Sequence, residues 1–209
     1  LDGKDVIGSA QTGTGKTAAF GLPILQLMGK HAPSPRALIL EPTRELAAQV
    51  AEQFEKYGSG YKLNMALLIG GVSFDDQDAK LMRGVDVLIA TPGRLLDHFE
   101  RGRLLLTGVE LLVIDEADRM LDMGFIPDIE RICKLVPFTR QTLFFTASFT
   151  DDVRRLAGSW TREAHNVDIE PEQVSVLAID QVVYITTTDE KLKILYNMIV
   201  RENLERVIV

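Results

Sequence analysis

A short glycine-rich stretch, AQTGTGKT at residues 10–17, constrains the fold of this chain more than any other feature of its sequence. An apolar run, VIGSA, precedes it, and a helix-like run, TAAFGLPILQLM, overlaps its end and continues beyond it. Glycines let backbone N–H groups curl around an anion without clashes from Cβ atoms, and the start of a helix adds its positive end. A strand, an anion-binding loop and a helix in this order are typical of α/β domains that bind phosphate groups.

The stretch departs from the phosphate-loop pattern G-x-x-x-x-G-K-[ST] only at Ala10, which replaces the first glycine. We predict that Lys16 reaches the β and γ phosphates of a nucleotide and that the Thr17 hydroxyl ligates Mg²⁺. The predicted nucleotide-binding residues are Ala10, Gln11, Thr12, Gly13, Thr14, Gly15, Lys16 and Thr17. A flexible turn with an incidental lysine is the alternative, whereas a dinucleotide fold is disfavoured because the third glycine of its fingerprint is missing.

A second motif, VIDEAD at residues 113–118, places three carboxylates directly after an apolar run. A buried strand would deliver Asp115 to the carboxyl edge of a parallel sheet, beside the phosphate loop. We predict that Asp115 holds Mg²⁺ through water and that Glu116 orients and deprotonates the attacking water, so that Lys16, Asp115 and Glu116 are the catalytic residues. A solvated acidic turn is the alternative. Together the two motifs predict a nucleoside-triphosphate hydrolase of the phosphate-loop type.

Apolar runs alternate with helical patterns along most of the chain. The predicted strands lie at residues 5–10, 36–41, 62–70, 85–90, 109–115, 141–147 and 166–170. In the run TRELAAQVAEQFEKYG, Leu46, Val50 and Phe54 recur at every fourth residue, which predicts a helix that ends near Gly58. Because the strand runs are almost continuously hydrophobic, we predict an α/β fold with a mostly parallel sheet and helices on both faces.

The character of the sequence changes after residue 170. Residues 171–181 show no period and predict a linker, which is followed by a predicted strand at 182–188, a helix at 189–203 and an apolar ERVIV. We therefore expect a first domain at 1–170, a linker at 171–181 and the incomplete start of a second α/β domain at 182–209. About 30 residues are too few to close a core of their own.

Composition excludes several classes of protein. The net charge of −7 argues against a general nucleic-acid binder, so any nucleic-acid contact must be made locally by a few groups. No apolar run approaches the ~18 residues of a membrane span, and we expect no N-terminal secretion signal. The single cysteine, Cys133, is interpreted as a small buried hydrophobe, and we expect a cytoplasmic protein with no membrane partner. His31, His98 and His165 show no metal-binding spacing and are interpreted as incidental, and Trp160 as a packing residue.

Six motifs follow one another in a fixed order: AQTGTGKT, PTRELA (42–47), GG (70–71), TPGR (91–94), DEAD (115–118) and DMGF (122–125). In this order they resemble the first RecA-like domain of DEAD-box ATP-dependent RNA helicases, with a finer likeness to bacterial RhlE-like members. The resemblance implies a RecA-like P-loop NTPase fold, ATP and Mg²⁺ as cofactors, and RNA as the partner. The chain is expected to be monomeric.

The resemblance also assigns residues to the path of one RNA strand, contacted through its backbone without sequence specificity. These residues are Pro42, Thr43, Arg44, Gly71, Thr91, Pro92, Gly93 and Arg94. Threonine, arginine and the free N–H groups of helix starts are suitable donors to phosphates. Ordinary helix capping by Thr43 and Thr91, with Pro92 in a first turn, is the alternative, and both interpretations can hold together.

The third motif of the family usually reads Ser-Ala-Thr, whereas this chain has Thr146, Ala147 and Ser148. The resemblance implies that these hydroxyls bond to Asp118 and couple hydrolysis to strand opening. A threonine hydroxyl can make the same bond as serine, although its rotamers are stiffer. We expect hydrolysis to tolerate the exchange.

The family also uses an adenine-reading segment upstream of the phosphate loop and arginine fingers in its second domain. The chain runs from Leu1 to Val209 without either, so we expect it alone to bind nucleotide weakly and to hydrolyse it negligibly. Two alternatives remain open: another phosphate-loop motor such as a DNA helicase, and a non-hydrolysing RNA-binding scaffold. Intact Lys16, Asp115 and Glu116 speak against the scaffold.

Overall fold

A computed structural model of the chain describes residues 2–11, 13–28, 31, 34–169 and 182–207. By its contacts the chain divides into two compact units, Leu1–Pro171 and Glu172–Val209. The predicted linker at 171–181 and the phosphate-loop residue Thr12 lie outside the described residues.

A parallel sheet forms the centre of the first unit. Its described strands are β1 Val6–Ser9, β2 Ala37–Leu40, β3 Met65–Leu68, β4 Val87–Ala90, β5 Leu111–Ile114, β6 Gln141–Thr146 and β7 His165–Asp168. They lie in the order β3-β4-β2-β5-β6-β1-β7, and every described pair is parallel. The seven strands predicted from apolar runs are confirmed, as is the parallel sheet.

Helices cover both faces of this sheet. The described helices of the first unit are α1 Lys16–Leu27, α2 Arg44–Tyr57, α3 Phe74–Leu81, α4 Pro92–Glu100, α5 Ala117–Asp122, α6 Ile126–Leu135 and α7 Asp151–Trp160. On one face α1 and α2 pack Phe20 and Phe54 against Ile39 and Val113. Residues of α4 to α7 pack on the opposite face, which confirms the prediction of a sheet covered on both sides.

The predicted apolar stripe of α2 is confirmed with one change. Val50 and Phe54 are buried, while Leu46 is only half-buried and lines a cavity. Ala47 and Ala51 complete the buried face instead. The helix ends at Tyr57, directly before the predicted stop at Gly58.

Two single residues behave as the sequence predicts. Trp160 is buried against Phe144, with ring centroids 6.1 Å apart, so it serves packing. Cys133 packs at the edge of the core, and burial raises the pKa of its thiol to about 11. A thiol that stays protonated at neutral pH behaves as a small hydrophobe.

The second unit contains one described helix, α8 Lys191–Arg201, which confirms the helix predicted at 189–203. The strand predicted at 182–188 is wrong, because residues 182–187 join no sheet within the described part of the chain and a turn follows them. A strand needs a neighbour to pair its N–H and C=O groups, and α8 is the only other regular element described in this unit. Among the described helices, none combines the length and apolar character that a membrane span requires.

Candidate functional site

The predicted site residues converge at the carboxyl edge of the parallel sheet. Strand β1 leads into the glycine loop and then into helix α1. Strand β5 leads into Asp115, and strand β6 ends at Thr146. In open parallel sheets this edge is where ligands bind. The topology therefore brings together motifs that lie far apart in the sequence.

The glycine loop leaves open space in front of its backbone. Gly13 and Gly15 have φ of 87° and 94°, a region that side-chain-bearing residues rarely adopt, and a Cβ at either position would meet nothing within 4 Å. Thr14 Oγ1 donates to the Gln11 carbonyl at 2.7 Å and tightens the turn. Ala10 is buried, has no positive φ and donates its N–H to Thr146, so this position does not require the glycine of the usual pattern.

Lys16 and Glu116 join the glycine loop to the DEAD motif. Lys16 Nζ donates to Glu116 Oε1 at 2.8 Å, and both side chains are largely shielded from solvent. Glu116 has φ 52° and ψ 47°, a left-handed conformation that is strained for a residue with a side chain. Such strain concentrates at functional sites, where it fixes the direction of a reactive group.

Asp115 lies beside this pair and is almost fully buried. Its Oδ1 accepts the N–H of Glu116 at 2.9 Å. Burial raises the pKa of Asp115 to about 6, against the lowering effect of the Lys16 charge and with a further increase from Glu116. A divalent cation at this position would favour the ionised carboxylate.

The loop and the carboxylates line one cavity of about 360 Å³. Its walls include Gly13, Gly15, Lys16, Thr17, Asp115 and Glu116. No group of three or more His, Cys, Asp or Glu side chains within the described residues can chelate a cation directly. Mg²⁺ commonly keeps several waters and binds one or two carboxylates together with substrate phosphates, so these residues fit a triphosphate with hydrated Mg²⁺.

Glu41, which the sequence analysis did not single out, lines the same cavity and is only 1% exposed. The signal was present in the sequence. Glu41 follows the apolar run ALIL as directly as Asp115 follows LLVI. An acidic residue at the end of a buried parallel strand is placed at the ligand-binding edge.

Most of the residues assigned to an RNA path line a second, open cavity of about 490 Å³, which we call the groove. Its walls include Pro42, Thr43, Arg44, Gly70, Thr91, Gly93 and Arg94, together with Glu45 and Asp97. Helices α2 and α4 both begin here, so unpaired N–H groups of two first turns lie at the groove. The structure thus brings together the PTRELA and TPGR motifs.

The capping alternative holds for one of the two threonines. Thr43 Oγ1 accepts the N–H of Leu46 at 3.3 Å and caps α2. At α4, Pro92 occupies the first turn, but the Thr91 side chain makes no capping hydrogen bond to any described residue. The hydroxyl of Thr91 is therefore not engaged as the N-cap of its helix.

The two arginines of the groove are held in place by neutral partners. Arg44 Nη1 donates to the Gly70 carbonyl at 3.3 Å, and a Cβ on Gly71 would collide with this guanidinium. Arg94 Nη2 donates to the Val72 carbonyl at 2.6 Å, and its guanidinium lies 3.3 Å from the centroid of the Phe74 ring. Because none of these partners is acidic, both arginines keep their charge available to an anion.

A buried polar network supports Arg94 from behind. Arg94 Nε donates to Gln77 Oε1 at 3.0 Å, and Gln77 donates to the Ile69 carbonyl at 2.9 Å. His98, fully buried, lies 2.8 Å from Gln77 Oε1 and 2.9 Å from Asp78. His98 is therefore not incidental to the structure, because the side chains of Gln77 and Asp78 both lie at hydrogen-bond distance from its ring.

Of the two hydroxyls in the third motif, that of Ser148 bonds to Asp118, as the resemblance implies. Ser148 donates from both Oγ, at 2.7 Å, and N, at 2.9 Å, to Asp118 Oδ2. Thr146 Oγ1 donates to the Ser148 carbonyl at 2.7 Å. Burial raises the pKa of Asp118, but the hydrogen bonds from Ser148 and from the Arg119 N–H outweigh it and hold the pKa below its usual range.

A profile of the DEAD/DEAH box helicase family matches residues 1–156. The chain belongs to this family. The resemblance inferred from six motifs is confirmed, and DEAD stands at residues 115–118 of this DEAD-box chain.

Curated relatives agree. The DEAD-box chain is 48% identical to the ATP-dependent RNA helicase RhlB of Pseudomonas aeruginosa, in an alignment that covers 100% of the chain and 55% of that protein. It is 45% identical to the DEAD-box ATP-dependent RNA helicase CshA of Bacillus cereus, over 87% of the chain and 34% of that protein. The chain therefore spans about half the length of RhlB and a third of CshA. The finer likeness to RhlE-like members stays a prediction.

Solved structures show the same fold. The yeast DEAD-box splicing factor Prp28 matches with a TM-score of 0.78 and 35% identity, over 95% of this DEAD-box chain and 49% of that one. A DEAD box protein from Methanococcus jannaschii matches with a TM-score of 0.74 and 32% identity, over 94% and 52%. The RecA-like fold is confirmed.

Proposed function

We propose that this chain is the nucleotide-binding domain of an ATP-dependent RNA helicase, which couples ATP hydrolysis to clamping and local separation of RNA strands. One observation carries the proposal: Lys16 and Glu116, 100 positions apart, meet at 2.8 Å where the glycine loop faces the DEAD motif. The two curated relatives described above are named ATP-dependent RNA helicases, which supports RNA as the nucleic acid.

The Lys16–Glu116 contact supports a proposal for the start of hydrolysis. A bound triphosphate offers Lys16 a stronger acceptor than one carboxylate, so the ammonium group turns to the β and γ phosphates. Glu116 then loses its partner and becomes free to accept a hydrogen bond from the attacking water and take its proton. The left-handed backbone of Glu116 fixes the direction in which its side chain leaves the end of the strand.

The magnesium site is assigned to Thr17 and Asp115, the latter through water. When bound, Mg²⁺ would neutralise charge that develops on the transferred phosphoryl group. Asp115 is placed for this task because its backbone N–H donates to the Leu40 carbonyl of the neighbouring strand at 3.1 Å. The carboxylate is thereby fixed to the rigid centre of the sheet.

The groove supplies the RNA contacts. Arg44, Arg94 and the N–H groups at the starts of α2 and α4 are donors suited to phosphates, and they carry no sequence information. The hydrogen bonds of Ser148 to Asp118 tie the start of α5, directly after Glu116, to the end of β6. We assign the coupling of hydrolysis to strand opening to this link, with Thr146 holding Ser148.

Several features of the whole protein remain proposals. They are the first domain at 1–170, the linker at 171–181, the start of a second domain at 182–209, a monomeric state and a cytoplasmic location. A non-hydrolysing scaffold is the weaker alternative, because it would not need the strained Glu116 beside Lys16. A DNA helicase is weaker because it has no support in the names of the relatives.

ATP turnover by the full-length protein tests the proposal, with single-stranded RNA, duplex RNA or DNA of the same length added. Glu116→Gln removes the base, and Glu55→Gln makes the same change on the exposed side of α2. We expect RNA to stimulate turnover and DNA not to, with a loss of about 100-fold or more in Glu116→Gln only. Turnover that is indifferent to RNA, or retained in Glu116→Gln, would contradict the proposal.

A further inference from the structure

Glu41 occupies a position in the sheet equivalent to that of Asp115. Strands β2 and β5 pair in parallel with Leu40 opposite Ile114, so the next residues, Glu41 and Asp115, lie side by side at about 4.8 Å. Side chains alternate along a strand, and Ile39 and Val113 face the helices α1 and α2. Glu41 and Asp115 therefore face the same side, into the cavity below the glycine loop.

The Glu41 carboxyl has an unused acceptor in this cavity. It is 1% exposed, and its Oε1 has no hydrogen-bond partner in the part of the chain that the structure describes. A buried polar atom without a partner is unfavourable, and an aliphatic residue would fill the same space without that penalty. An unpaired acceptor aimed at a ligand cavity indicates a partner that arrives with the ligand.

The charges around Glu41 indicate what kind of partner this is. Burial and the charges of Asp115 and Glu116 raise the pKa of Glu41 well above its usual range, with Lys16 as the opposing cation. Lys16 is already bonded to Glu116. The cavity thus brings Glu41, Asp115 and Glu116 together with one ammonium group, and the water shell of a divalent cation offers both positive charge and hydrogen-bond donors to the free Glu41 acceptor.

Direct chelation does not fit the geometry, because no chelating group of three such residues exists among the described residues. A water of the cation's shell fits, since it can donate to a carboxylate that lies one strand away from Asp115. Outer-shell acceptors of this kind orient ligands of the metal and raise its affinity.

We propose that Glu41 is a positioning residue for the Mg²⁺ of the bound nucleotide, accepting a hydrogen bond at Oε1 from a water in the cation's hydration shell. This inference rests on the proposed function, because it assumes a nucleotide in the cavity. It adds a third carboxylate, from the strand before PTRELA, to the two of the DEAD motif.

The test measures how nucleotide affinity depends on free Mg²⁺. The probe is a fluorescent, non-hydrolysable ATP analogue, titrated onto the protein at a series of Mg²⁺ concentrations and in EDTA. For Glu41→Gln we expect the midpoint of the Mg²⁺ dependence to rise about 10- to 100-fold, with affinity in EDTA unchanged. Glu41→Asp, which keeps the charge but withdraws the oxygen by one methylene, should raise the midpoint less.

Glu55→Gln is the matched control, because Glu55 is exposed on α2 and does not line this cavity. It makes the same change of charge, and its Mg²⁺ midpoint should equal that of the unmodified protein. Thermal unfolding in EDTA shows whether each variant folds. A Glu41→Gln curve that overlays the unmodified one, or a variant that changes only the melting temperature, overturns the inference.

Two further variants separate this inference from the proposed function. Lys16→Ala should lose nucleotide binding at every Mg²⁺ concentration, and Asp115→Asn should lose the dependence on Mg²⁺. If both behave so and Glu41→Gln does not respond, Glu41 has no role at a site that is otherwise correct. If neither responds, the cavity is not the nucleotide site, and the proposed function fails together with the inference.

Discussion

Three carboxylates and one ammonium group meet in the cavity below the glycine loop. Glu116 is paired with Lys16 at 2.8 Å, while Asp115 and Glu41 are nearly fully buried beside them. Like charges this close disfavour ionisation of one another, and burial adds to the effect. These two effects raise the pKa values of Asp115 and Glu41, and a cation beside them would favour their ionised forms.

The first prediction concerns the pH dependence that Asp115 gives to stability. Its pKa is raised to about 6 in the folded protein, against about 3.9 in an unfolded chain, so the folded state binds the proton more tightly. The stabilisation from this proton is present below pH ~4 and lost as the pH rises through ~6. Asp115→Asn should be more stable than the unmodified protein at pH 7, by on the order of 2 kcal/mol, and the difference should shrink toward pH 4.

Denaturant unfolding of both proteins in EDTA, from pH 4.5 to pH 8, measures this difference directly. Groups that titrate in both proteins change the two free energies of unfolding equally, so their effect drops out of the difference. Glu205→Gln, which removes an exposed carboxylate of the second unit, should show no difference that varies with pH. A constant offset between Asp115→Asn and the unmodified protein would contradict the prediction.

At the scale of helices and strands, the starts of α2 and α4 look alike in sequence but differ in structure. Each begins with a threonine at the groove, yet Thr43 caps its helix and Thr91 does not. The capping and RNA-binding interpretations of the two motifs therefore make different predictions for stability and for binding. Thr150 provides a reference, because it caps α7 through Val153 and does not line the groove.

The second prediction uses these three threonines. Thr43→Ala and Thr150→Ala should each lower the free energy of unfolding by about 1 kcal/mol through loss of a cap, whereas Thr91→Ala should lower it by less than about 0.5 kcal/mol. RNA binding should fall in Thr43→Ala and Thr91→Ala and stay unchanged in Thr150→Ala. Denaturant unfolding and fluorescence anisotropy with a labelled single-stranded RNA measure the two quantities. Equal RNA affinity in all three variants would leave capping as the only role of Thr43.

The sequence predicts the role of a residue well when the partners of that residue lie near it in the chain. The central strands β2, β4 and β5 were predictable because each is a continuous, buried apolar run, and Asp115 because a motif surrounds it. Glu41 also follows an apolar run, which the sequence shows, but its place beside Asp115 follows only once β2 and β5 are known to pair. His98 was misread for the same reason, since its partners lie on α3.

The error at residues 182–188 has a related cause. The composition VVYITTT favours an extended backbone, but an extended segment becomes a strand only when another strand pairs with it. No such strand is described in the second unit. The composition of this segment shows a preference for extended backbone, but it does not show whether a partner strand lies beside it.

For the whole molecule, the question is how a chain with a net charge of −7 would bind the polyanion that the proposed function requires. The groove offers a local positive charge, because Arg44 and Arg94 have neutral partners. The carboxylates of Glu45 and Asp97 in its walls limit the positive potential there. Few phosphates can be neutralised in this way. We therefore expect this domain to contribute a weak dependence of RNA affinity on salt.

The third prediction gives this contribution a value. Each phosphate contact on single-stranded nucleic acid adds about −0.7 to the slope of log affinity against log salt, so two arginines account for about −1.4. The variant Arg44→Gln with Arg94→Gln should flatten the slope of the full-length protein by that amount. Lys80→Gln with Arg83→Gln removes the same charge from exposed positions at the end of α3, outside the groove, and should leave the slope unchanged. Anisotropy titrations between 50 and 300 mM KCl, on the order of a sixfold range, would resolve the difference. Equal flattening by both pairs would mean that RNA responds to the overall field of the protein rather than to phosphates held in the groove.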